Sequence, residues 1–322
     1  MSSSFTASDH RLRTAVIGVG YLGRFHAQKY RQQTGSELIA VVDANLETAR
    51  KVAAELQVEG FDDYRALLGR VDAVSIAVPT PLHFQIAGEF LQRGAHVLVE
   101  KPITTTTDEA RRLIDLAKEN GCVLQVGHLE RFNPAIVAAA KLITRPRFVE
   151  SHRLAPFKAR GTDVSVVLDL MIHDIDLIQA LVGAPIESID AAGSAIFSGD
   201  LDIANARIRF ANGCVVNTTA SRVSMKQERK MRIFQDDAYL SIDLQQKILT
   251  VIRKKGDAPV DSPAQVSIDE QSFDQGDALA DEIAAFLKSI RDNVPPVVGG
   301  QDGLRALETA TRIAELVKVR ST

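Results

Sequence analysis

Five short apolar runs punctuate the first part of the chain, at 14–18, 37–43, 73–78, 95–99 and 122–126. Between them, apolar positions recur at helical spacing over 21–33, 45–56, 82–93 and 107–120. Strand runs that are nearly continuous in Val, Ile, Leu and Ala predict burial on both faces, as in a parallel sheet with helices on either side. Thr107-Asp108-Glu109 places acids at the start of the last of these helices, where the helix dipole favours them. The pattern predicts a doubly wound α/β domain.

The periodicity changes near Gly127. A helix over 134–143, a strand over 147–154 and a strongly apolar helix over 164–182 lead into a series of strands. Ala206, Ile208 and Phe210 alternate with Asn205, Arg207 and Arg209, which marks a strand buried on one face only. Asn212-Gly213 supplies the positive φ angles of a tight hairpin, and Asp236-Asp237 marks another turn before Tyr239. Together these predict an α+β domain with a large, mostly antiparallel open sheet, one face on helices and one face free. Residues 255–275 are polar and irregular and predict an exposed loop. Two amphipathic helices, 277–292 and 301–319, close the chain, separated by Pro295-Pro296 and Gly299-Gly300.

Composition narrows the function classes. At 322 residues the chain is long enough for two cores, and its net charge of −3 gives no reason to expect a nucleic acid or an anionic membrane as partner. No apolar stretch approaches transmembrane length, and the opening MSSSFTASDHR lacks the apolar core of a secretory signal. Cys122 and Cys214 fall in predicted strands with no His or Cys at metal-ligand spacing beside them. They predict reduced, buried thiols in a cytoplasmic protein without a metal site.

The first strand delivers Gly18, Gly20 and Gly23 directly into a helical pattern. Gly18 allows the tight turn, Gly20 lets a pyrophosphate approach the backbone, and Gly23 lets helix and strand pack closely. The helix amides then point at the phosphates. A second apolar run ends at Asp43, twenty residues after Gly23, where an acid gripping the adenosine ribose belongs. An acid there repels a 2′-phosphate, so the expected cofactor is NAD. The expected division is a tail over 1–12, an NAD-binding Rossmann domain over 13–127, and an α+β domain over 128–322 for substrate binding and oligomerisation. The last helix is expected to pack back on the Rossmann domain.

Three further clusters carry chemistry. Glu100-Lys101-Pro102 follows a strand, so Lys101 emerges at the sheet edge where open α/β folds hold ligands. Its ammonium can polarise a hydroxyl; the alternative is a solvated Glu-Lys pair. In the apolar helix, Asp169, His173 and Asp176 share one face at about 100° per residue. A helix this apolar must be mostly buried, so the stripe faces either partners or a cavity, and histidine is suited to accept a proton near neutral pH. The alternative is a satisfied structural network. Third, His128, Glu130, Arg131 and Asn133 lie where the two domains meet in sequence. An interdomain salt bridge plus a helix cap, with Asn133 capping and Pro134 at the first helical position, accounts for part of that cluster.

Gly-x-Gly-x-x-Gly-x-x-His-Ala from Gly18 to Ala27, Glu-Lys-Pro at 100–102, Gly-x-x-x-Arg-Phe-x-Pro at 127–134 and Asp-x-x-x-His-Asp at 169–174 occur in order. This set resembles the glucose-fructose oxidoreductase, inositol dehydrogenase and rhizopine catabolism (Gfo/Idh/MocA) family over essentially the whole chain after residue 12. The resemblance implies Lys101 and His173 as the catalytic pair, with Asp169 contacting substrate. It implies that Gly18, Gly20, Tyr21, Leu22, Gly23, Asp43, Pro79, Thr80, His83, Glu100 and Lys101 hold NAD, and that His128, Glu130, Arg160, Asp169 and His173 meet the substrate. It also implies a homodimer or homotetramer built on the open sheet. Within the family, GHLERFNP and VVLDLMIHDID are most similar to the branch that oxidises C3 of UDP-N-acetylglucosamine ahead of an aminotransferase in lipid A synthesis. Arg153, Lys158 and Arg160 are then candidates to meet the diphosphate. Oxidation of another sugar or cyclitol, or a non-catalytic NAD-binding regulator, are the alternatives.

Overall fold

A computed structural model describes residues 11–157, 164–256, 261–273 and 275–320. It divides into two units with separate cores.

The first unit contains β1 (Leu12–Ile17), α1 (Tyr21–Gln32), β2 (Ser36–Val42), α2 (Leu46–Leu56), β3 (Glu59–Phe61), β4 (Ala73–Ile76), α3 (His83–Gln92), β5 (His96–Glu100), α4 (Thr107–Glu119) and β6 (Leu124–Gly127). All six strands are parallel, in the order β3-β2-β1-β4-β5-β6. The order reverses between β1 and β4, and the loops that leave the carboxyl ends of these two strands frame a ligand crevice. Helix starts are fixed locally. The Asn45 side chain accepts from the Glu47 and Thr48 amides, and Thr106 and Glu109 form a reciprocal capping box before α4.

The second unit follows with α5 (Pro134–Ala140), β7 (Pro146–Leu154), α6 (Ile172–Val182), β8 (Ile186–Ser194), β9 (Ile203–Phe210), β10 (Val215–Ser221), β11 (Glu228–Gln235), β12 (Ala238–Asp243), β13 (Ile248–Lys254) and β14 (Val266–Ser272). Its eight strands run in the order β14-β13-β12-β11-β7-β10-β9-β8, antiparallel except where β7 meets β10. Inward residues such as Ile208, Val216, Ile233 and Leu240 pack with Ile136 of α5 and Ile172, Ile175 and Ile178 of α6. Asn205, Arg207 and Arg209 point away from that core, so the sheet has one covered and one open face. The chain ends with α7 (Ala278–Arg291) and α8 (Gly300–Arg320).

Three expectations need correction. The stretch over 255–275 contains β14, paired with β13 along its whole length. Its residues from Ile268 to Ser272 are exposed, so no alternation marks it, and backbone pairing to an existing edge is what makes it a strand. The helix whose apolar face completes the nucleotide fold is α7, where Ile283, Phe286 and Leu287 share a core with Val16, Tyr30, Val41 and Leu98. The last helix meets this unit only at its start, with Gly300 against Ile114 and Leu124 and Gly303 against Val126 and Ile103. From Leu304 onwards α8 belongs to the second unit, where Ala306, Ala310, Ile313 and Val317 pack. Both helices are amphipathic, and amphipathicity does not say which core accepts the apolar face. Finally, α6 is preceded by a π-helical turn, Val167–Met171, where a single helix over 164–182 was expected. Among the described residues no helix is long and apolar enough to cross a membrane.

Phe286 is fully buried, so Phe286→Ala should lower the stability of the first unit by about 3–5 kcal/mol. Urea denaturation followed by intrinsic tyrosine fluorescence measures this, and an unchanged midpoint would mean that α7 is peripheral to that core.

Candidate functional site

In the first unit the turn after β1 is held from both sides. The Gly18 amide donates to Val42 O at 2.8 Å, and the Ala77 amide donates to Ile17 O at 2.8 Å. Gly18 has φ of +84°, and a Cβ there would lie 2.7 Å from Ala77 O. A Cβ on Gly23 would lie 1.7 Å from Gly18 O, so only glycine lets α1 sit this close to the turn. Gly20 is different: nothing lies within 4 Å of its Cβ position, so its bare backbone faces open space. No side chain caps α1. The dipole of its first turn, over Tyr21, Leu22 and Gly23, favours an anion.

Asp43 stands at the end of β2. Its Oδ2 accepts from the Val19 amide at 3.0 Å and its Oδ1 from the Asn45 amide at 3.0 Å, which locks the carboxylate in place. Gly18, Gly20, Asp43, Tyr64, Val78 and Pro79 are among the residues lining a cavity of about 490 Å³. Asp62 and Asp63 add two more acids to its wall, while Arg65 is paired with Asp63 and Glu89. The uncapped start of α1, the open space at Gly20 and the acidic ribose end fit a dinucleotide that carries no 2′-phosphate.

Lys101 follows β5 directly, and the Lys101–Pro102 bond is cis. The Lys101 amide donates to Glu100 Oε2 at 3.3 Å, and Glu100 Oε1 lies 3.0 Å from His26 Nε2. His26 Nδ1 in turn lies 3.2 Å from Ser75 Oγ, which is 2.9 Å from Tyr30 Oη. Burial pushes the Glu100 carboxyl up, but His26 and Lys101 outweigh it and hold Glu100 below the ordinary carboxylate range. His83 is buried, with Nδ1 2.9 Å from Pro102 O and Nε2 2.9 Å from Val78 O. Burial lowers its pKa although both carbonyls raise it, and the ring lies between the loop after β4 and the turn carrying Lys101, a neutral imidazole donating to one of the two carbonyls at a time. Thr80 opens a short 3-10 turn between Pro79 and His83.

In the second unit Asp169 lies in the π turn and His173 in the first turn of α6, both half-buried. The wider turn changes the phase assumed from a regular helix, and such turns recur at functional sites. The neighbouring acids are neutralised from below. Arg131 donates to both oxygens of Asp176, at 2.6 and 2.9 Å. Arg153 donates to both oxygens of Asp174, at 3.1 and 2.8 Å, and to Glu130 Oε1 at 3.0 Å. Burial lowers the Arg153 pKa, but Asp174 and Glu130 more than offset it and hold the guanidinium charged. Asn133 Oδ1 accepts from the Ala135 amide and caps α5.

The glycine turn, Asp43 and Pro79 thus meet at one cavity, whereas His83 and Glu100 are committed to positioning the Lys101 turn. Asp169 and His173 are neighbours on one element, and His128 is buried at the start of the second unit. Glu130 is engaged with Arg153 and Asn133. An interdomain salt bridge was one alternative for this cluster; Arg131 instead pairs with Asp176 of its own unit. Arg153 is 3% exposed, so it is an internal counter-ion and cannot meet a diphosphate, as sequence alone allowed. Lys158 and Arg160 lie outside the described residues. Sequence reasoning gave no role to His26, although it sits within the glycine motif run, and none to Asp174 or Glu282.

Residues 12–128 match the model of the oxidoreductase family with an NAD-binding Rossmann fold, and residues 138–241 match the GFO/IDH/MocA C-terminal domain. The chain is 43% identical to UDP-N-acetylglucosamine 3-dehydrogenase of Acidithiobacillus ferrooxidans, over 95% of this chain and 97% of the relative. A crystal structure of that enzyme matches with a TM-score of 0.91 at 42% identity, covering 96% of this chain and 98% of the other. Similarity extends to scyllo-inositol 2-dehydrogenase (NAD(+)) of Bacillus subtilis, 28% identical over 93% of this chain and 92% of the relative.

The two glycines should respond differently to one methyl group. Gly20→Ala should fold with little change in Tm yet weaken NADH binding by about tenfold or more, because the added carbon occupies the phosphate approach. Gly23→Ala should lower Tm as well, through its clash with Gly18 O. Calorimetric titration with NADH alongside thermal melts separates the two, and equal Tm losses would contradict this reading of the turn.

Proposed function

Because the chain belongs to the Gfo/Idh/MocA family of NAD-binding oxidoreductases, we propose that it oxidises the C3 hydroxyl of UDP-N-acetylglucosamine to the 3-keto sugar. The observation that carries the substrate is the 43% identity to a UDP-N-acetylglucosamine 3-dehydrogenase along nearly the full length of both chains.

The first turn of α1, over Tyr21, Leu22 and Gly23, would hold the cofactor pyrophosphate, and Asp43 would accept from the adenosine ribose hydroxyls. NAD, when bound, supplies the acceptor for the hydride that leaves the sugar carbon. The protein does the rest. His173 accepts the hydroxyl proton at an imidazole nitrogen. The Lys101 ammonium stabilises the alkoxide oxygen as negative charge develops there. Asp169 accepts a hydrogen bond from the reacting sugar and keeps it aligned with His173. Loss of the proton and the hydride converts the alcohol to a ketone, and an aminotransferase consumes that ketone in making a diamino-sugar lipid A precursor. The enzyme acts in the cytoplasm.

The open face of the eight-stranded sheet is the self-association surface of a homodimer or homotetramer. Supporting this, its outward residues include Glu150, His152, Asp190, Asn205, Arg207 and Asn217 around a concavity of about 380 Å³, a face rich in both charges. Light scattering on the purified protein should give a mass at least twice 35.0 kDa, and a monomer would contradict it.

The substrate is tested by NADH formation with NAD and UDP-N-acetylglucosamine, an aminotransferase and amino donor removing the ketone. Turnover is expected with the nucleotide sugar and not with free N-acetylglucosamine or myo-inositol; turnover with myo-inositol instead would overturn the substrate. Lys101→Met should lower kcat by about 10²–10³-fold while leaving the NADH dissociation constant nearly unchanged. A near-wild-type rate in that variant would remove Lys101 from the chemistry.

A further inference from the structure

Glu282 lies on α7 with none of its surface exposed, and among the described residues neither carboxyl oxygen has a hydrogen-bond partner. One of its oxygens lies within 4.8 Å of a Glu100 oxygen and a His26 ring nitrogen. The Glu100 carboxyl packs directly over Gly127, where a Cβ would lie 2.9 Å from it, so the pair sits against β6 at the end of the strands. Gln125 of β6 faces the same place: its Nε2 donates to Glu282 O, while its Oε1 is also buried without a partner. Around Glu282 the titratable groups are His26 and Tyr30 from α1 and Glu100 from β5. The Lys101 charge acts on Glu100.

Glu100 has His26 and Lys101 to favour its charge, whereas Glu282 has only burial and the Glu100 charge acting on it, so an ionised Glu282 would be penalised twice. We propose that Glu282 is a positioning residue for the oxidation: it is held as the neutral acid and shares one proton with Glu100, fixing the carboxylate that holds the Lys101 peptide. Burial first, and then the charge of Glu100, raise Glu282 well above its ordinary value, whereas Glu100 is lowered. The proton therefore resides on Glu282, and the single negative charge resides on Glu100, next to His26 and the Lys101 amide. The link to Lys101 rests on the proposed dehydrogenase activity; the shared proton does not.

The test uses the full chain, as wild type, Glu282→Gln and Glu282→Leu, with thermal melts across pH and steady-state rates at neutral pH. An unfolded glutamate loses its proton above about pH 4.5, while the folded Glu282 keeps it. Its raised folded value therefore favours folding only in acid, and the benefit is lost as pH rises. The Tm of Glu282→Gln should equal that of wild type near pH 4.5 and exceed it increasingly towards pH 8. A Gln variant less stable than wild type at pH 8 would overturn the shared proton, as would a divalent cation retained by the wild type through dialysis and lost in the Gln variant.

Rates then test the positioning role. Gln can still donate to Glu100 and should keep kcat within about twofold, whereas Leu cannot donate and should lose about tenfold or more in kcat with little change in NADH affinity. Leu should do so while melting no lower than wild type at pH 8, which a merely structural residue would not do. Equal kcat in the Leu variant would overturn the positioning role. If Glu282→Leu does not fold, the pH dependence of the Gln variant still decides the shared proton. If wild type shows no turnover with the nucleotide sugar, the substrate assignment fails and the melts stand apart from it.

Discussion

A buried carboxylate must find a positive charge or keep its proton, and the arrangement of both units follows from that constraint. The helix bearing His173 and the turn leading into it bury Val166, Val167, Met171, Ile175 and Ile178 in the core of the second unit. Asp174 and Asp176 on the same helix are equally buried. Arg153 and Arg131 neutralise them, each gripping its carboxylate with two hydrogen bonds. Bidentate pairs of this kind fix orientation as well as charge. The helix can therefore be anchored deep in an apolar core while His173 and Asp169, one turn earlier, stay partly exposed.

In the first unit the Glu100 carboxyl meets the same constraint with His26 and Lys101 in place of arginine. Tyr30, Ser75, His26 and Glu100 form a continuous run of close polar contacts from the interior of α1 to the peptide of Lys101. The glycine turn on the other side of α1 is set by steric exclusion: Gly23 lies against Gly18 O, and Gly18 lies against Ala77 O. One helix thus carries the proposed phosphate-binding turn at its start and the support for the lysine turn along its inner face. That double duty explains why His26 follows the glycine motif so closely.

The doubly wound fold was legible because its strands are buried on both faces and read as unbroken apolar runs. The glycine turn and Asp43 were legible because backbone geometry there admits few residue types. The placement of α7 and α8 was not, since an apolar stripe such as Ile283, Phe286 and Leu287 fits either core. β14 was hidden because its side chains from Ile268 on are exposed and backbone pairing alone makes it a strand. The Arg153–Asp174–Glu130 network joins positions far apart in the chain, and nothing local to Arg153 distinguishes an internal counter-ion from a solvated base. Glu282 was invisible for a similar reason: on a helix whose other face is polar, its letter reads as surface.

The central claim is that hydride leaves C3 of a nucleotide sugar while this chain's lysine and histidine manage the hydroxyl proton. The most direct measurement uses UDP-N-acetylglucosamine deuterated at C3, with mass analysis of the reduced cofactor. The account predicts that the deuterium appears in NADH, one label for each sugar oxidised. Turnover that yields unlabelled NADH would contradict it, because the oxidised carbon would then be another position of the sugar.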